Sequence, residues 1–487
     1  MRYWLLAFYI FLFFFLLIES FLHWFIWGAF ILYLPILYMA IRDFNQTESN
    51  IRKNYPFLGT INEFLDKQRH VLQEVLLQNR WEGRPFSLLQ INYVKKKAND
   101  SLMSLPFGSE LDFSSKDYFW CEHSLYPLKD IHHEFRVKIG SSLCQNPYES
   151  SIINVGAMSF GSISSAAVSA LCNGAKKENF AVNTGEGGIS KYHWESGCDL
   201  IWQIGTAYFG CRDKEGNFDE VLFQKQAIHE QVKMIEIKIS QGAKPGFGAI
   251  LPASKNTEEI AKIRMIRPHT EVHSPGYHSM FSSHEELLAF IDKLRDLSNN
   301  KPIGIKLCLG KKEDFKSLCQ LMRQYKMYPD FIVIEGGEGG SGAADLDSIH
   351  HMGWPLSESL KYVVATLRKN QLKDEIKVIS TGKVLSSIDI ANNLSKGADL
   401  CYSARGMMFS LGCVQSLKCN TNKCPTGITT MDQARISGLD VTDKTNKVAN
   451  YQRNLIKGLA NIYKASGIDN LKDKEKLKFN TLKKVYS

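Results

Sequence analysis

Positions 3–18 carry no charged side chain, Glu19 and Ser20 interrupt, and positions 21–41 are apolar again apart from His23 and Pro35. A single helix over that stretch would extend roughly 58 Å at about 1.5 Å per residue, far beyond a ~30 Å hydrocarbon layer. The pattern predicts instead a transmembrane anchor over 1–42 made of two short helices that turn at Glu19-Ser20. No small-residue cleavage site follows a single short apolar core, which disfavours a signal peptide. Arg2 precedes the first span, and Arg42, Arg52 and Lys53 follow the second. This asymmetry places both ends, and the chain beyond, on the cytoplasmic side of the inner (cytoplasmic) membrane, with the lipid bilayer as a partner.

From about residue 150 the pattern changes to short apolar runs alternating with amphipathic stretches, as in βα units on a parallel sheet. Strands are expected at 152–157, 180–183, 234–240, 302–308, 330–335, 377–380 and 400–403, with weaker candidates at 200–205 and 271–273. Capping boxes or near variants mark helix starts at Asn256-x-x-Glu259, Ser283-x-x-Glu286 and Ser386-x-x-Asp389, and Gly397 reads as a left-handed stop. The fold class expected is α/β, a (β/α)8 TIM barrel over 151–430. A wrapping subdomain over 43–150, with a helix at 62–77, precedes it, and a helical, Lys-rich tail over 431–487 follows.

Composition narrows this little. With 44% hydrophobic and 22% charged residues, most of the chain is globular. The net charge of +9 is modest and comes largely from surface lysines. Basic and aromatic residues are not interleaved as in a single-strand channel, so nucleic acid is not expected. The 11 cysteines are scattered apart from one late cluster, which argues for reduced thiols rather than a disulfide framework.

Candidate chemistry gathers at the strand ends, the active face of a barrel. Glycine-rich loops at 157–161, 183–188, 241–246 and 336–340 suggest a flat cofactor approached closely by backbone. Flavin mononucleotide needs a phosphate grip after the last two strands, where Thr381-Gly382-Lys383 and Ala404-Arg405-Gly406 lie. Lys306 is mid-strand, sharing a face with Gly304 and Cys308; such a lysine is costly unless it meets an anion, and it suits the N1/O2 edge of a flavin. Glu236, Lys238 and Ser240 share one face of another strand. Lys238 with Gln241 and Lys244 forms a cationic end suited to an anionic dicarboxylate, though Glu236 could equally neutralise Lys238 in a structural pair. Residues 337–342 satisfy G-x-G-x-x-G, but the following pattern breaks too soon for a dinucleotide-binding helix, so an NAD(P) site is rejected.

Cys413, Cys419 and Cys424 fall within twelve residues of a polar loop. Thiolates are soft ligands for zinc or iron–sulfur centres; without a fourth loop cysteine or a following histidine, structural zinc fits poorly. The polar neighbours favour ligation over unligated core cysteines.

These segments resemble the FMN-binding domain of glutamate synthases, and more closely that family's short, stand-alone members. The resemblance rests on 156–164, 183–188, 238–246, 274–278, 335–342 and 413–430. It implies FMN lined by Ala157, Met158, Ser159, Asn183, Lys306, Gly337, Gly339, Gly382 and Arg405. It also implies a [3Fe-4S] cluster on Cys413, Cys419 and Cys424, and Glu186, Lys238, Gln241 and Lys244 as catalytic residues facing 2-oxoglutarate or its imine. The implied reaction reduces 2-iminoglutarate, formed from 2-oxoglutarate and ammonia, with hydride from reduced FMN. Electrons would come from a ferredoxin or an NAD(P)H-oxidising partner. Two departures are visible. The first cysteine is Cys121, so glutamine hydrolysis is not expected, and Phe247-Gly248-Ala249 replaces an acidic residue and paired glycines. The family's glycine-repeat domain is not expected after the cysteine cluster. Rival readings are N-methylglutamate synthesis, 2-hydroxy acid oxidation, or a non-catalytic membrane electron relay.

Overall fold

The computed structural model describes residues 2–65, 83–101, 103–104, 106–115, 118–131 and 134–481. Its centre is a closed barrel of eight parallel strands. In chain order these are β1 (Ile153–Val155), β2 (Val182–Asn183), β3 (Leu200–Ile204), β4 (Val232–Lys238), β5 (Ile303–Leu307), β6 (Phe331–Glu335), β7 (Lys377–Thr381) and β8 (Leu400–Ser403). Each pairs with its sequence neighbours, and β8 closes onto β1 through Cys401–Ile153 and Ser403–Val155. The expected (β/α)8 fold is therefore present.

The two weak strands divide. The run at 200–204 is β3, buried along its whole length. The run at 272–273 lies outside the barrel, pairing antiparallel with Ile250–Leu251 in the long excursion between β4 and β5. The two short runs pair across residues 252–271, which carry a helix of their own, and take no place in the wall.

Within the wall, Gly304 lies in register between Glu236 and Phe331. A methyl group there would overlap the Phe331 ring, so the missing Cβ is what lets this phenyl group fill the barrel interior. Below the strands, an antiparallel hairpin (Arg136–Ile139 with Tyr148–Ser151) covers the N-terminal end. Its turn is fixed by Ser141, whose N–H and Oγ reach Asp330 Oδ1 at 2.8 and 2.6 Å. Tyr148 donates to Asp199 Oδ2 at 2.8 Å.

Labelled in chain order, the helices used below are α1 (Arg2–Leu22), α2 (Trp27–Asn45), α3 (Leu88–Ala98), α4 (Ser165–Lys177), α5 (Glu258–Arg264), α6 (Ser387–Ser395), α7 (Arg405–Ser410) and α8 (Val441–Ser466). The capping box at Ser386 is formed, and Gly397 is left-handed with φ +95°. The start expected at Asn256 falls one residue later: Thr257 caps α5, while the Asn256 amide serves the Arg267 and Thr270 carbonyls. Helix α8 lies along α3, α4 and α6 on the barrel flank. Tyr451 donates from α8 to Leu385 O at 2.6 Å. The lysine run beyond it is partly structural, because Lys474 joins Lys373 on the buried Asp399 carboxylate. Lys483 and Lys484 lie outside the described residues, as does most of the helix expected over 62–77.

Helices α1 and α2 are long and apolar enough to cross a membrane, with 11% and 17% of their spans buried. Such low burial separates them from core helices of the same composition. The turn is not at Glu19-Ser20: Ser20 Oγ bonds back to Leu17 O at 2.7 Å, α1 continues to Leu22, and the chain bends at His23. A serine can return its hydroxyl to the preceding helical turn, so it need not break a helix.

Gly304→Ala is expected to lower stability by about 1–3 kcal/mol through overpacking, measured as a reduced denaturant midpoint. Adding Phe331→Leu should recover much of the loss. A neutral Gly304→Ala would show that the ring does not fill this space.

Candidate functional site

Strand alternation aims the last inward side chains of β3 to β8 at the C-terminal mouth, which opens into a cavity of about 1370 Å³ including its solvent-open part. Lys238 ends β4 and Lys306 stands beside it in register on β5. Two ammonium groups in one buried layer would repel, and each meets its own carboxylate. Lys306 Nζ lies 2.9 Å from Glu335 Oε2 at the end of β6. Lys238 Nζ bonds the Glu186 carboxylate, which the glycine-rich loop after β2 delivers. Gly185 makes that delivery possible, with φ +63° and no room for a Cβ against Ser159 N.

Beneath the lysines, Glu236 is wholly buried. It accepts from Asn183 Nδ2 at 3.1 Å and from Gln203 Nε2, its cross-strand partner. Burial raises the Glu236 pKa, and the opposing pull of Lys306, Gln203 and Asn183 does not cancel it. Burial alone would lower the Lys306 pKa; Glu335 and Glu236 reverse this and hold it above the ordinary lysine value. For Glu186, burial pushes up while Lys238, Lys244 and Arg264 pull down more strongly, leaving it below the usual carboxylate value. The pairing left open by the sequence thus resolves: Glu186, not Glu236, is the ion-pair partner of Lys238. His278 fixes the strand end from behind, its Nε2 2.9 Å from Lys238 O, and burial lowers its pKa so that it stays neutral.

Beside these pairs stand cations that form no ion pair among the described residues. Lys244 Nζ donates to Gly248 O at 3.1 Å, and its pKa is lowered by burial and then by Lys238. Lys255 Nζ reaches Ser162 O and Cys419 O at 2.8 and 3.3 Å, with its pKa lowered by burial to about 8. Arg264 Nη2 donates to Phe160 O at 2.9 Å, its Nε has no partner among the described residues, and burial lowers its pKa to about 10. The mouth is therefore an electropositive recess.

Of the residues singled out in the sequence, Ala157, Met158, Ser159, Glu186, Lys238, Gln241, Lys244, Lys306, Thr381, Gly382, Lys383, Ala404 and Arg405 line this one cavity, and so does Cys419. Gly382 turns the end of β7 with φ +118°. Arg405 Nη2 holds Ser341 O at 3.1 Å across the mouth. Other candidates do not line it. Asn183 is engaged with Glu236, Gly337 N donates to Trp354 O at 2.7 Å, Gly339 packs on Glu335, and Gly406 packs against Tyr451. Sequence reasoning missed Gln203, Lys255, Arg264, Glu335 and Tyr402, which line the cavity too. Gln203 and Glu335 break apolar strands and could have been found by alternation. Lys255 and Arg264 arrive from the excursion between β4 and β5, where no periodicity points inward.

The three late cysteines share one neighbourhood without converging. Burial raises Cys413 to about 11, with Cys419 and Cys424 adding to the rise. Cys424 Sγ lies 3.3 Å from Thr426 Oγ1. Among the described residues no three His, Cys, Asp or Glu side chains form a metal-binding group.

The profile of the conserved region in glutamate synthase matches residues 126–469. The chain belongs to the glutamate synthase family. It is 34% identical to the glutamate synthase large subunit-like protein YerD of Bacillus subtilis, over 90% of this chain and 91% of that one. It is 29% identical to an archaeal glutamate synthase [NADPH] of Methanocaldococcus jannaschii, over 69% of this chain and 63% of the relative. The archaeal-type enzyme of Thermotoga maritima is 31% identical over 61% of this chain and 55% of its own length. The chain thus spans little more than half of the archaeal-type relatives. A mandelate oxidase structure superposes with TM-score 0.46 at 13% identity, covering 80% of this chain and 98% of that one. Family membership carries the enzyme class: an oxidoreductase of the glutamate synthase type.

Lys238→Met is expected to cost about 3–5 kcal/mol in urea unfolding, because it leaves the Glu186 carboxylate buried without its partner. Glu186→Leu combined with Lys238→Met should regain most of it. Equal losses in the single and double variants would show that the pair is not coupled.

Proposed function

We propose that the chain uses FMN to reduce 2-iminoglutarate, formed from 2-oxoglutarate and ammonia, and works as a membrane-attached enzyme of the inner membrane. The observation that carries the reading is the mouth itself: one recess presents Lys306 among carboxylates, a glycine turn at Gly382, and unneutralised cations. The cradle fits FMN in kind. Gly382 leaves room for close backbone approach, Lys383 and Arg405 supply positive charge for a phosphate, and Lys306 stands ready to face an electron-rich ring edge. When bound, FMN supplies hydride chemistry; the chain's own residues do the rest.

Lys244, Lys255 and Arg264 bind and orient a dicarboxylate by charge, in a recess where burial weakens solvent screening. Glu186, held ionised by Lys238, accepts hydrogen bonds from an ammonium or iminium group beside the reacting carbon. Gln241 adds a neutral polar contact. Cys413, Cys419 and Cys424 are the candidate ligands of a [3Fe-4S] cluster, supported by thiolate softness and shared loop position. The electron donor is a ferredoxin or an NAD(P)H-oxidising partner, and ammonia comes from solution or from a partner.

Anaerobically purified protein should carry flavin absorbance that bleaches on reduction and returns on adding 2-oxoglutarate with ammonium. Methylamine in place of ammonium should return little of it, and lactate should not bleach the oxidised flavin. Cys419→Ser should lose iron while keeping flavin. Protein with neither flavin nor iron would falsify the redox assignment.

Acid binding should weaken as pH rises. Burial and then Lys238 lower the Lys244 pKa, so Lys244 loses its proton before an ordinary lysine does. The dissociation constant for 2-oxoglutarate, read by flavin spectral shift, should therefore climb on the alkaline side, and Lys244→Met should flatten that climb.

A further inference from the structure

The foot of the apolar hairpin is bonded to the barrel mouth through an unbroken chain of polar contacts. Arg2 Nη1 donates to Ser437 O at 3.2 Å. Just after α2, Asn50 Nδ2 reaches Thr426 O at 3.0 Å, and Asn54 Nδ2 reaches Pro425 O and Arg435 O at 3.2 and 3.1 Å. Arg435 Nη1 then holds Lys423 O at 2.9 Å, and Asn422 Nδ2 holds Ser254 O at 2.8 Å. Ser254 follows Ile250, Leu251 and Pro252, which wall the cavity. The hairpin therefore roots beside the cavity, on the cysteine-loop side, not at the hairpin-covered end of the barrel.

On that same side the rim exposes large apolar residues: Phe247 at 57%, Tyr277 at 75% and Leu417 at 69%. They are spatial neighbours of the cavity wall. Phe247 lies two residues before Ala249, and Leu417 two before Cys419, both of which line the cavity. The loop of Tyr277 is held to that of Phe247 by close passage of Gly248 against Ser274 and Pro275. Lys418 and Lys423 are exposed beside Leu417. Leu346, also exposed, is flanked by exposed Asp345 and Asp347 and does not belong to this apolar and basic sector.

We propose that this sector of the barrel mouth lies on the bilayer surface, with Phe247, Tyr277 and Leu417 entering the headgroup–acyl boundary and Lys418 and Lys423 meeting anionic headgroups. The occupant is lipid rather than a protein because the patch is continuous, through backbone-anchored contacts, with helices whose exposed faces only an apolar phase satisfies. The inference rests on the membrane reading of α1 and α2. Its consequence is that the mouth meets the membrane side-on, while the acidic sector around Leu346 stays open to water.

The test uses the full-length chain reconstituted in phosphatidylethanolamine–phosphatidylglycerol vesicles containing a phospholipid with a photoactivatable acyl chain. Adducts are then mapped by mass spectrometry. Adducts are expected in α1 and α2 and on the segments carrying Phe247, Tyr277 and Leu417, with none on the 136–151 hairpin. Phe247→Ser with Leu417→Ser should lower rim labelling several-fold while labelling of α1 and α2 is unchanged. Adducts confined to α1 and α2 overturn the proposal and leave the rim to a protein partner. Absence of adducts even there sinks the membrane reading beneath it.

Discussion

Two lysines side by side in a barrel wall set the terms for the rest of the site. Lys238 and Lys306 are register partners on β4 and β5, both nearly inaccessible to water. Neither could stay charged there alone, since desolvation of an isolated ammonium outweighs any packing gain. The loop after β2 must therefore bring Glu186, and β6 must end on Glu335. Once both pairs are made, Lys244, Lys255, Arg264, Lys383 and Arg405 leave the mouth electropositive. The glycines follow from the same constraint. Glu186 reaches Lys238 only because the chain at Gly185 takes a left-handed turn against Met158 and Ser159.

Strand alternation made a good part of this legible. It put Lys306 and Gly304 on one face of β5 and Glu236 with Lys238 on one face of β4, and the barrel places them so. What it could not give was partner choice. Glu236 and Glu186 were both available to Lys238, and the decision lies in loop geometry: Glu236 sits a layer deeper, tied to Asn183 and Gln203. Lys255 and Arg264 were invisible for a related reason. They come from a short 3-10 turn and the end of a seven-residue helix, and no period in the sequence says which way these point.

The glycine-rich segments carry a second lesson. Four such loops at strand ends suggested backbone lying against a flat guest. For Gly185, Gly340 and Gly382 the surroundings are the cavity, but Gly337 and Gly339 serve the loop itself. A Cβ at Gly337 would meet the Gly353 carbonyl at 2.7 Å, and Gly339 folds back on Glu335, the residue that neutralises Lys306. Glycine composition marks close approach without naming what is approached, and at Gly337 and Gly339 the approach is of protein to itself.

The N-terminal hairpin shows the same division between composition and placement. Apolar length separated it from the barrel at once, yet the bend fell at His23, because a helical hydroxyl returns to its own backbone and leaves Ser20 no reason to break the helix. What composition could not show is that the polar residues after α2 are its fastening. Asn50 and Asn54 are buried and spend their amide donors on backbone carbonyls after Cys424 and at Arg435. Amide-to-carbonyl bonds made out of water hold orientation as well as proximity, since an unmet donor there costs about 1–3 kcal/mol. A freely swivelling hairpin would need no such contacts. The presence of several, converging on the loop that carries the cysteines, means that whatever covers α1 and α2 also fixes the direction in which the barrel mouth faces.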